Sequence, residues 1–244
     1  TSGICGPTII EAVDSTYIEQ IELENFVGMS STNTVTFRSQ SGNPDGVNLS
    51  YAATGSADNH VVKMFDADYY TFENMTFTAL GATYGYVFNT WGADSLTINN
   101  CNITCVSTGS QAYPIRAYYY NSGVYASSHD FTLTNSTLTG GYYSLYYYNY
   151  SQDPANDGVI ENNEFINPYY RAVYAYYAKD LQFNNNHVVS NSTYTSAYAF
   201  YLYQITGGSI SNNFVEGTTS WPRYGMYLGY CQGDLSTFMP IVGN

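Results

Sequence analysis

The side chains most able to do chemistry in this chain are aspartates that recur at regular intervals. They stand five or six residues ahead of a column of asparagines, at Asp68, Asp94, Asp130, Asp157 and Asp180. A glycosidase needs two carboxylates at a fixed separation. A catalytic group occurs once, however, whereas a side chain required by turn geometry recurs in every repeat, and aspartate favours turns. We therefore interpret these residues as turn formers and predict no catalytic residue.

Asp66, Asp68 and Asp94 also offer a candidate metal site. Three carboxylates brought together in neighbouring repeats would suit a hard cation such as calcium. We predict that the chain binds no cofactor and has no metal-ligating residues. Calcium held by these three aspartates is the alternative. A lyase would also need Lys or Arg beside the metal, and Lys63 and Arg116 stand at different positions of the repeat. His129 and His187 have no nucleophile beside them, so we interpret both as solvated or packed.

Tyrosine is the second kind of candidate, because it recurs once per repeat at Tyr84, Tyr113, Tyr143, Tyr170, Tyr198 and Tyr224. Residues three and five positions further on should face outward, and they include Val173 and Ala175 in one repeat. A tyrosine ring with its polar tip suits stacking on sugars or contact with proteins. The predicted ligand-binding residues are Arg116, Tyr118, Tyr146, Tyr148, Tyr201, Tyr203 and Tyr227. The alternative is stacking that only stabilises the sheet, by about 0.5–1.5 kcal/mol per ring pair.

Two repeats contain extra residues, near 119–129 and 149–157. Both insertions leave neighbouring repeats at the same corner, so they should project together and wall one side of the tyrosine row. Loops commonly carry recognition. A ligand cleft is expected there.

The elements that position these residues follow from the asparagine column, which comprises Asn74, Asn100, Asn135, Asn162, Asn185 and Asn212. The residues two positions before and three positions after each asparagine are apolar in every repeat. Alternation of this kind indicates strands with one buried face. Two strands per repeat without a helical period predict an all-β, right-handed parallel β-helix. Equivalent residues then lie about 4.8 Å apart, and the asparagines should form a buried amide ladder.

The tyrosine strand should point its second and fourth following residues inward, Tyr86 and Phe88 in one repeat and Ala172 and Tyr174 in another. One repeat earlier, Val62 and Met64 take the inward positions and His60 is a structural strand residue. The unbroken repeat predicts one domain over residues 1–244, with irregular early coils at 1–60 and regular coils at about 61–230. The formal charge of −13 with six Lys and Arg argues against nucleic acid or an anionic membrane as a partner.

Several segments resemble a known group of sequences. They are GPTIIEAVDSTYIEQIEL, TVTFRSQSGN, LSYAATGSADNHVVKMFDADYYTFENMTF and ATYGYVF. These resemble the right-handed β-helix region of large surface and secreted proteins of Bacteroidetes that are exported by type IX secretion. The resemblance implies an extracellular, multi-domain parent with adhesin-like or carbohydrate-related roles, and it implies no single reaction.

Three functions are consistent with these observations. We favour a non-enzymatic extracellular or cell-surface module, adhesive or structural, whose tyrosine row contacts glycans or neighbouring proteins. The second hypothesis is a polysaccharide lyase or glycoside hydrolase of the β-helix type. The third is a filament subunit that associates end to end. None of the three requires insertion into a membrane.

Overall fold

The computed structural model describes residues 3–194, 196–217, 224–233, 239 and 241–244. Every element in these ranges is a strand, and each coil of the chain passes through three parallel sheets in turn. The first sheet contains β1 (Thr8–Ala12), β4 (Val35–Ser39), β7 (Tyr70–Glu73), β10 (Thr97–Asn99), β15 (Thr132–Thr134), β19 (Val159–Glu161), β22 (Gln182–Asn184), β25 (Ser209–Ser211) and β28 (Ile241–Val242).

The second sheet contains β2 (Ser15–Ile18), β5 (Val47–Tyr51), β8 (Thr76–Ala79), β11 (Asn102–Cys105), β16 (Thr137–Gly140), β20 (Glu164–Ile166), β23 (His187–Ser190) and β26 (Phe214–Gly217). The third, the tyrosine sheet, contains β3 (Ile21–Leu23), β6 (Val62–Phe65), β9 (Tyr84–Trp91), β12 (Gln111–Tyr118), β17 (Tyr143–Tyr148), β21 (Arg171–Lys179), β24 (Tyr198–Thr206) and β27 (Tyr224–Gly229). β18 (Ala155–Asn156) pairs with β21, and β13 (Tyr120–Asn121) with β14 (Val124–Tyr125) forms an antiparallel hairpin.

The apolar positions that flank the asparagines form the interior, as predicted. One column runs in register along the first sheet and comprises Phe72, Ile98, Leu133, Ile160, Phe183 and Ile210. Its counterpart in the second sheet comprises Phe77, Ile103, Leu138, Phe165, Val188 and Val215. All of them except Val215 are fully buried. Val62 and Met64 are also fully buried, so the predicted orientation of that early strand is confirmed.

The pattern predicts two strands per coil, whereas the structure has three. The difference arises at the asparagine, which separates a strand of the first sheet from a strand of the second, as Asn74 separates β7 from β8. The φ angle of Asn74 is 56°. A residue in this left-handed region turns the chain, so the two apolar runs belong to different sheets.

The asparagine column is therefore not the buried amide ladder that the sequence predicts. All six asparagines have φ between 51° and 57°. Four of them, Asn135, Asn162, Asn185 and Asn212, are exposed. Asparagine tolerates the left-handed region better than other residues with a side chain. The column reflects this backbone requirement and not a need for buried amides.

A buried amide ladder does exist, one residue further along the chain. The Nδ2 of Asn163 donates to Oδ1 of Asn186 at 3.1 Å, and the Nδ2 of Asn186 donates to Oδ1 of Asn213 at 3.1 Å. Each Oδ1 also accepts the backbone N–H of the preceding ladder member, as Asn186 does from Asn163 at 3.2 Å. The Nδ2 of Asn186 additionally donates to the Ile160 carbonyl at 2.8 Å. The ladder thus satisfies backbone groups at the buried side of the corner, where no water is available.

The ladder continues at both ends. Asn213 donates through Nδ2 to Oδ1 of Asn244 at 2.9 Å. In the other direction, Ser136 donates its backbone N–H to Oδ1 of Asn163 at 3.0 Å, and Cys101 donates its backbone N–H to Oγ of Ser136 at 3.1 Å. The same corner is therefore bridged by a side-chain oxygen over five successive steps.

The aspartates have two distinct roles. Asp130, Asp157 and Asp180 have φ between 53° and 57° and occupy the turn between the tyrosine sheet and the first sheet. Gly207, with φ of 73°, takes the same position one coil later. Asp68 and Asp94 lie one residue earlier, because Tyr69 and Ser95 have the positive φ in their coils. Each of these two aspartates accepts a backbone N–H of the next coil at 2.8 Å, from Asp94 and from His129 respectively.

Replacing Asn186 with Ala should destabilise the protein by about 2–4 kcal/mol, because the buried Asn163 N–H and the Asn163 side-chain amide would each lose the bond that they donate to Oδ1 of Asn186. Replacing the exposed Asn185 with Gly is the matched control. It should change the free energy of unfolding by less than about 0.5 kcal/mol, since glycine adopts positive φ without strain. Urea unfolding of both variants measures the difference. An Asn186→Ala variant as stable as Asn185→Gly would contradict the assignment of the ladder.

Candidate functional site

The outward side chains of the tyrosine sheet form three columns, which together we name the tyrosine face. The first column comprises Tyr86, Tyr113, Tyr143, Arg171, Tyr198 and Tyr224. The middle column comprises Asn89, Arg116, Tyr146, Tyr174, Tyr201 and Tyr227. The outer column comprises Trp91, Tyr118, Tyr148, Tyr176, Tyr203 and Gly229. These eighteen positions belong to six successive strands, from β9 to β27.

All seven residues that the sequence singles out as ligand-binding lie on this face: Arg116, Tyr118, Tyr146, Tyr148, Tyr201, Tyr203 and Tyr227. The structure adds Tyr174 and Tyr176, which fill the gap that the sequence leaves in β21. The predicted outward pair, Val173 and Ala175, is wrong, because both side chains are fully buried. Tyr174 is also predicted to point inward. This prediction is wrong, because the Tyr174 ring lies on the outward face and stacks with those of Tyr146 and Tyr201.

The error has a physical origin in the strands of this sheet. The in–out alternation is interrupted by two successive buried residues, Ala172 and Val173 in β21 and Ala199 and Phe200 in β24. The residue before each interruption faces outward, so Arg171 and Tyr86 stand in the first column. Tyr170 and Tyr84, which the sequence places there, do not, and the predicted inward orientation of Tyr86 is also wrong.

Six rings of the face stack into one continuous file. The ring centroids are 5.1 Å apart for Tyr86 and Tyr113, and 5.5 Å apart for Tyr113 and Tyr146. The file continues through Tyr174 and Tyr201 to Tyr227, with centroid distances of 5.2, 5.3 and 4.5 Å. Interplanar angles along the file lie between 8° and 27°. The rings therefore cover one another, and a ligand meets their edges along most of the file.

Arg171 replaces a tyrosine in the first column. It is 8% exposed, and its guanidinium carbon lies 4.3 Å from the ring centroid of Tyr201 and 4.5 Å from those of Tyr170 and Tyr174. Tyr143 and Tyr198 complete the cage at 5.7 and 5.1 Å. One guanidinium N–H donates to the Tyr170 hydroxyl at 3.1 Å, and the buried Nε has no hydrogen-bond partner in the part of the chain that the structure describes. The cation is held by ring faces, whose negative quadrupoles attract it.

The two insertions meet beside the outer column, where the sequence predicts a cleft. Tyr119 and Tyr125 come from the first insertion and Tyr150 from the second. Tyr150 stacks on Tyr125 with a centroid distance of 4.7 Å and on Tyr119 at 5.9 Å. A cavity of about 200 Å³ lies between the insertions and the face, lined by Tyr119, Tyr125, Tyr148, Asn149, Tyr150, Ser151 and Tyr177. We name it the tyrosine cleft.

Hydrogen bonds fix the insertions to each other. The hydroxyl of Ser127 donates to the Asp153 carbonyl at 2.5 Å and accepts the Tyr150 N–H at 2.8 Å. The Ser128 N–H donates to the buried side-chain oxygen of Asn149 at 3.2 Å. His129 Nε2 lies 3.3 Å from a carboxylate oxygen of Asp153. The cleft is thus held open by bonds that involve neither of its main rings, Tyr125 and Tyr150.

The polar candidates of the sequence have other partners. One carboxylate oxygen of Asp68 and one of Asp94 accept backbone amides, as described above, and Asp66 is exposed. In the ranges that the structure describes, no group of three His, Cys, Asp or Glu side chains is arranged to hold a metal ion. The calcium site at these aspartates stays a prediction. His187 Nδ1 lies 3.9 Å from a carboxylate oxygen of Glu164, and its Nε2 lies 3.8 Å from a carboxylate oxygen of Glu216.

Burial raises the pKa of several tyrosines on the face. It raises the pKa of Tyr148 to about 12. The pKa values of Tyr113, Tyr143 and Tyr146 are also raised, chiefly by burial. Neighbouring phenols add to the effect because phenolates would repel one another, while the Arg171 cation opposes it at Tyr143. These four phenols are therefore neutral well above physiological pH.

These shifts predict alkaline unfolding. A pKa raised in the folded state means that the neutral phenol is favoured by folding, so the stability is complete below about pH 10 and is lost as the pH rises towards 12 and beyond. The urea midpoint measured from pH 8 upwards should fall in this window, together with a cooperative rise of phenolate absorbance. A midpoint that stays constant through pH 12 would contradict the packed face.

One comparison with known proteins, the match to a family model, agrees with the architecture. Residues 121–238 match the family model of the right-handed β-helix region. No curated protein sequence matches the chain. A search of solved structures finds the Streptococcus pneumoniae surface protein and adhesin PfbA, at 8% sequence identity and a TM-score of 0.42, covering 96% of this chain and 91% of that one. With its three parallel sheets and this family match, the chain is a right-handed parallel β-helix.

Proposed function

We propose that this β-helix is an extracellular, non-enzymatic contact module that binds glycans at the tyrosine cleft and along the adjoining tyrosine face. The single observation that carries the proposal is the meeting of two insertions beside the face, where they wall a cavity of about 200 Å³ with tyrosine rings. In a repeat protein, an insertion at one corner of one coil is free to vary without disturbing the stack. Two adjacent insertions that build one cleft therefore support a role in recognition.

The composition of the cleft suits a sugar. Sugar rings have apolar C–H faces and hydroxyl edges, so a matching site combines aromatic surface with a few polar groups. Tyr125 and Tyr150 supply rings at the rim, and Asn149 and Ser151 supply the polar groups. Tyr125 is 51% exposed, more than any ring of the file, of which Tyr227 at 38% is the most exposed. The volume is below the roughly 300–1,000 Å³ of sites for drug-sized ligands, which favours one sugar unit of a longer chain.

Preorganisation is the second support. Loops that become ordered only on binding lose affinity to the entropy of ordering. Here the Ser127 and Asn149 side chains already join the two insertions. The rings at the rim are held relative to the face before any ligand arrives.

An extracellular location fits the same proposal. Charged residues make up only 10% of the chain, and the surface is rich in hydroxyl and amide groups. The segments that resemble type IX-exported β-helix regions of Bacteroidetes support a surface or secreted parent. Among the described residues, no helix is long and apolar enough to cross a membrane. A protein neighbour is the alternative partner for the same surface.

A glycan array tests the proposal. The native protein should bind at least one class of glycan, and replacing both Tyr125 and Tyr150 with Ala should weaken that binding by about tenfold or more, since each loses stacking of about 0.5–1.5 kcal/mol per contact. Phe214→Ala is the matched control, because Phe214 is an aromatic residue that is 57% exposed and lies in the second sheet, not on the tyrosine face. Its binding should be unchanged.

Two results would contradict the proposal. One is an array without any signal while the protein is folded by circular dichroism, which would favour a protein partner. The other is equal loss in the Phe214→Ala control and the double variant, which would show that the cleft has no special role.

A further inference from the structure

The cations of this acidic chain are divided into two kinds. Five of its six Lys and Arg residues lie in the described ranges. Three have a carboxylate within 4.0 Å: Arg38 pairs with Glu11, Lys63 with Glu22 and Lys179 with Asp180. Arg116 and Arg171 have no such ion pair among the described residues, and both lie on the tyrosine face.

The contacts of Arg116 repeat those of Arg171 in a more open position. Its guanidinium carbon lies 4.5 Å from the Tyr118 ring centroid and 5.2 Å from that of Tyr86. One N–H donates to the side-chain oxygen of Asn89 at 2.8 Å. The residue is half-buried, so part of the guanidinium is open to solvent. The other four N–H donors of the Arg116 guanidinium make no hydrogen bond to a described side chain.

Keeping Arg171 in place is energetically demanding. Burying a cation without a counter-ion is unfavourable because the cation loses its hydration, and contacts with ring faces offset part of that cost. A tyrosine would avoid the desolvation, and tyrosine is the residue on either side of Arg171 in its column, at Tyr143 and Tyr198. What arginine adds at this position is positive charge.

The rest of the face carries no opposing charge. None of the eighteen outward positions from β9 to β27 is Asp or Glu, although the chain contains 19 of them. Arg116 and Arg171, which have no ion pair among the described residues, thus lie among tyrosine rings on a protein of net charge −13. Low-dielectric surroundings strengthen the field of such cations. The face is therefore complementary to an anion.

We propose that the tyrosine face is selective for an anionic polysaccharide, one that carries carboxylate or sulfate groups along an extended chain. Arg116 contacts an anionic group directly, because its planar fork matches carboxylate and sulfate oxygens. Arg171 attracts the polymer from beneath the rings of Tyr174 and Tyr201. The face extends over six strands, about 24 Å at the ordinary strand spacing, which fits several linked sugar units. The inference rests on the proposed glycan-binding function and names its ligand class.

Matched polymers test the charge preference. The probes are dextran, carboxymethyl-dextran and dextran sulfate, which share one backbone, and poly-L-glutamate as an acidic polypeptide. The native protein is compared with a double variant, in which Arg116→Tyr and Arg171→Tyr are combined. The single variant Arg116→Tyr is measured as well, in case the double variant does not fold. Tyrosine keeps the columns aromatic and removes only the charge. Binding is measured by surface plasmon resonance at two salt concentrations.

The native protein should bind one or both charged dextrans at least about tenfold more tightly than dextran, and this preference should shrink at high salt because the charges are screened. The double variant should lose the preference, and Arg116→Tyr should lose part of it. Whichever of the two charged dextrans binds more tightly identifies carboxylate or sulfate as the preferred group.

Other outcomes overturn the inference. Equal binding of all three dextrans, or a preference that the variants retain, removes the charge selectivity and leaves the proposed glycan function intact. Absence of binding to every dextran, in a protein that binds glycans on the array, has the same meaning. Poly-L-glutamate bound as tightly as carboxymethyl-dextran assigns the face to acidic polypeptides instead. A protein that binds neither the array nor any probe fails both proposals.

Discussion

The constraint on which this structure depends is the need to pair backbone amides at the corners between sheets. Three strands per coil require sharp turns, and a turn places N–H and C=O groups where neither sheet can bond them. On the outside of one corner, asparagines accept a positive φ; on its inside, Asn163, Asn186 and Asn213 bond the coil before. An amide can do this only when its neighbour lies one strand spacing away. The ladder therefore fixes the register of successive coils.

Register at the corner determines what happens on the tyrosine sheet. Once coils are aligned, a tyrosine that recurs along the sequence becomes a file of rings along the axis, and stacking of about 0.5–1.5 kcal/mol per pair adds to the stability. The same alignment brings both insertions to one edge of the file, where Tyr150 can pack on Tyr125. It also gathers Arg116 and Arg171 on the tyrosine face, where none of the eighteen outward positions is Asp or Glu. The proposed binding properties are consequences of coil register.

The fold class and the buried columns could be predicted from the sequence because the interior is a one-dimensional pattern, whereas the third strand of each coil and the true amide ladder could not. Apolar residues at fixed offsets from each asparagine form columns once the chain is coiled, and the positions of the two insertions indicated where the cleft lies.

Predicted positions were wrong by one residue where the sequence does not reveal which residue makes the turn. Asp68 and Asp94 precede their asparagines by six residues, whereas Asp130 precedes its asparagine by five. Of these three aspartates, Asp130 alone has the positive φ of the turn. Val173 precedes Asp180 by seven residues, as Phe88 precedes Ser95 and Phe200 precedes Gly207. Counting from these turns places the Val173 side chain inside the coil, whereas counting from Tyr170 places it outside.

Two features of the site depend on distances between coils, which no local sequence pattern contains. They are the packing of Arg171 among five tyrosine rings and the contact between the two insertions.

A crystallographic electron-density map of β21 and its neighbours tests the central claim most directly. The account places Tyr174 and Tyr176 outside and Val173 and Ala175 inside, with the Tyr174 ring stacked between those of Tyr146 and Tyr201 at centroid distances of 5.2 and 5.3 Å. A map showing Val173 and Ala175 at the surface and Tyr174 in the interior would break the file at its centre. That result would contradict the register, the cage around Arg171 and the binding face together.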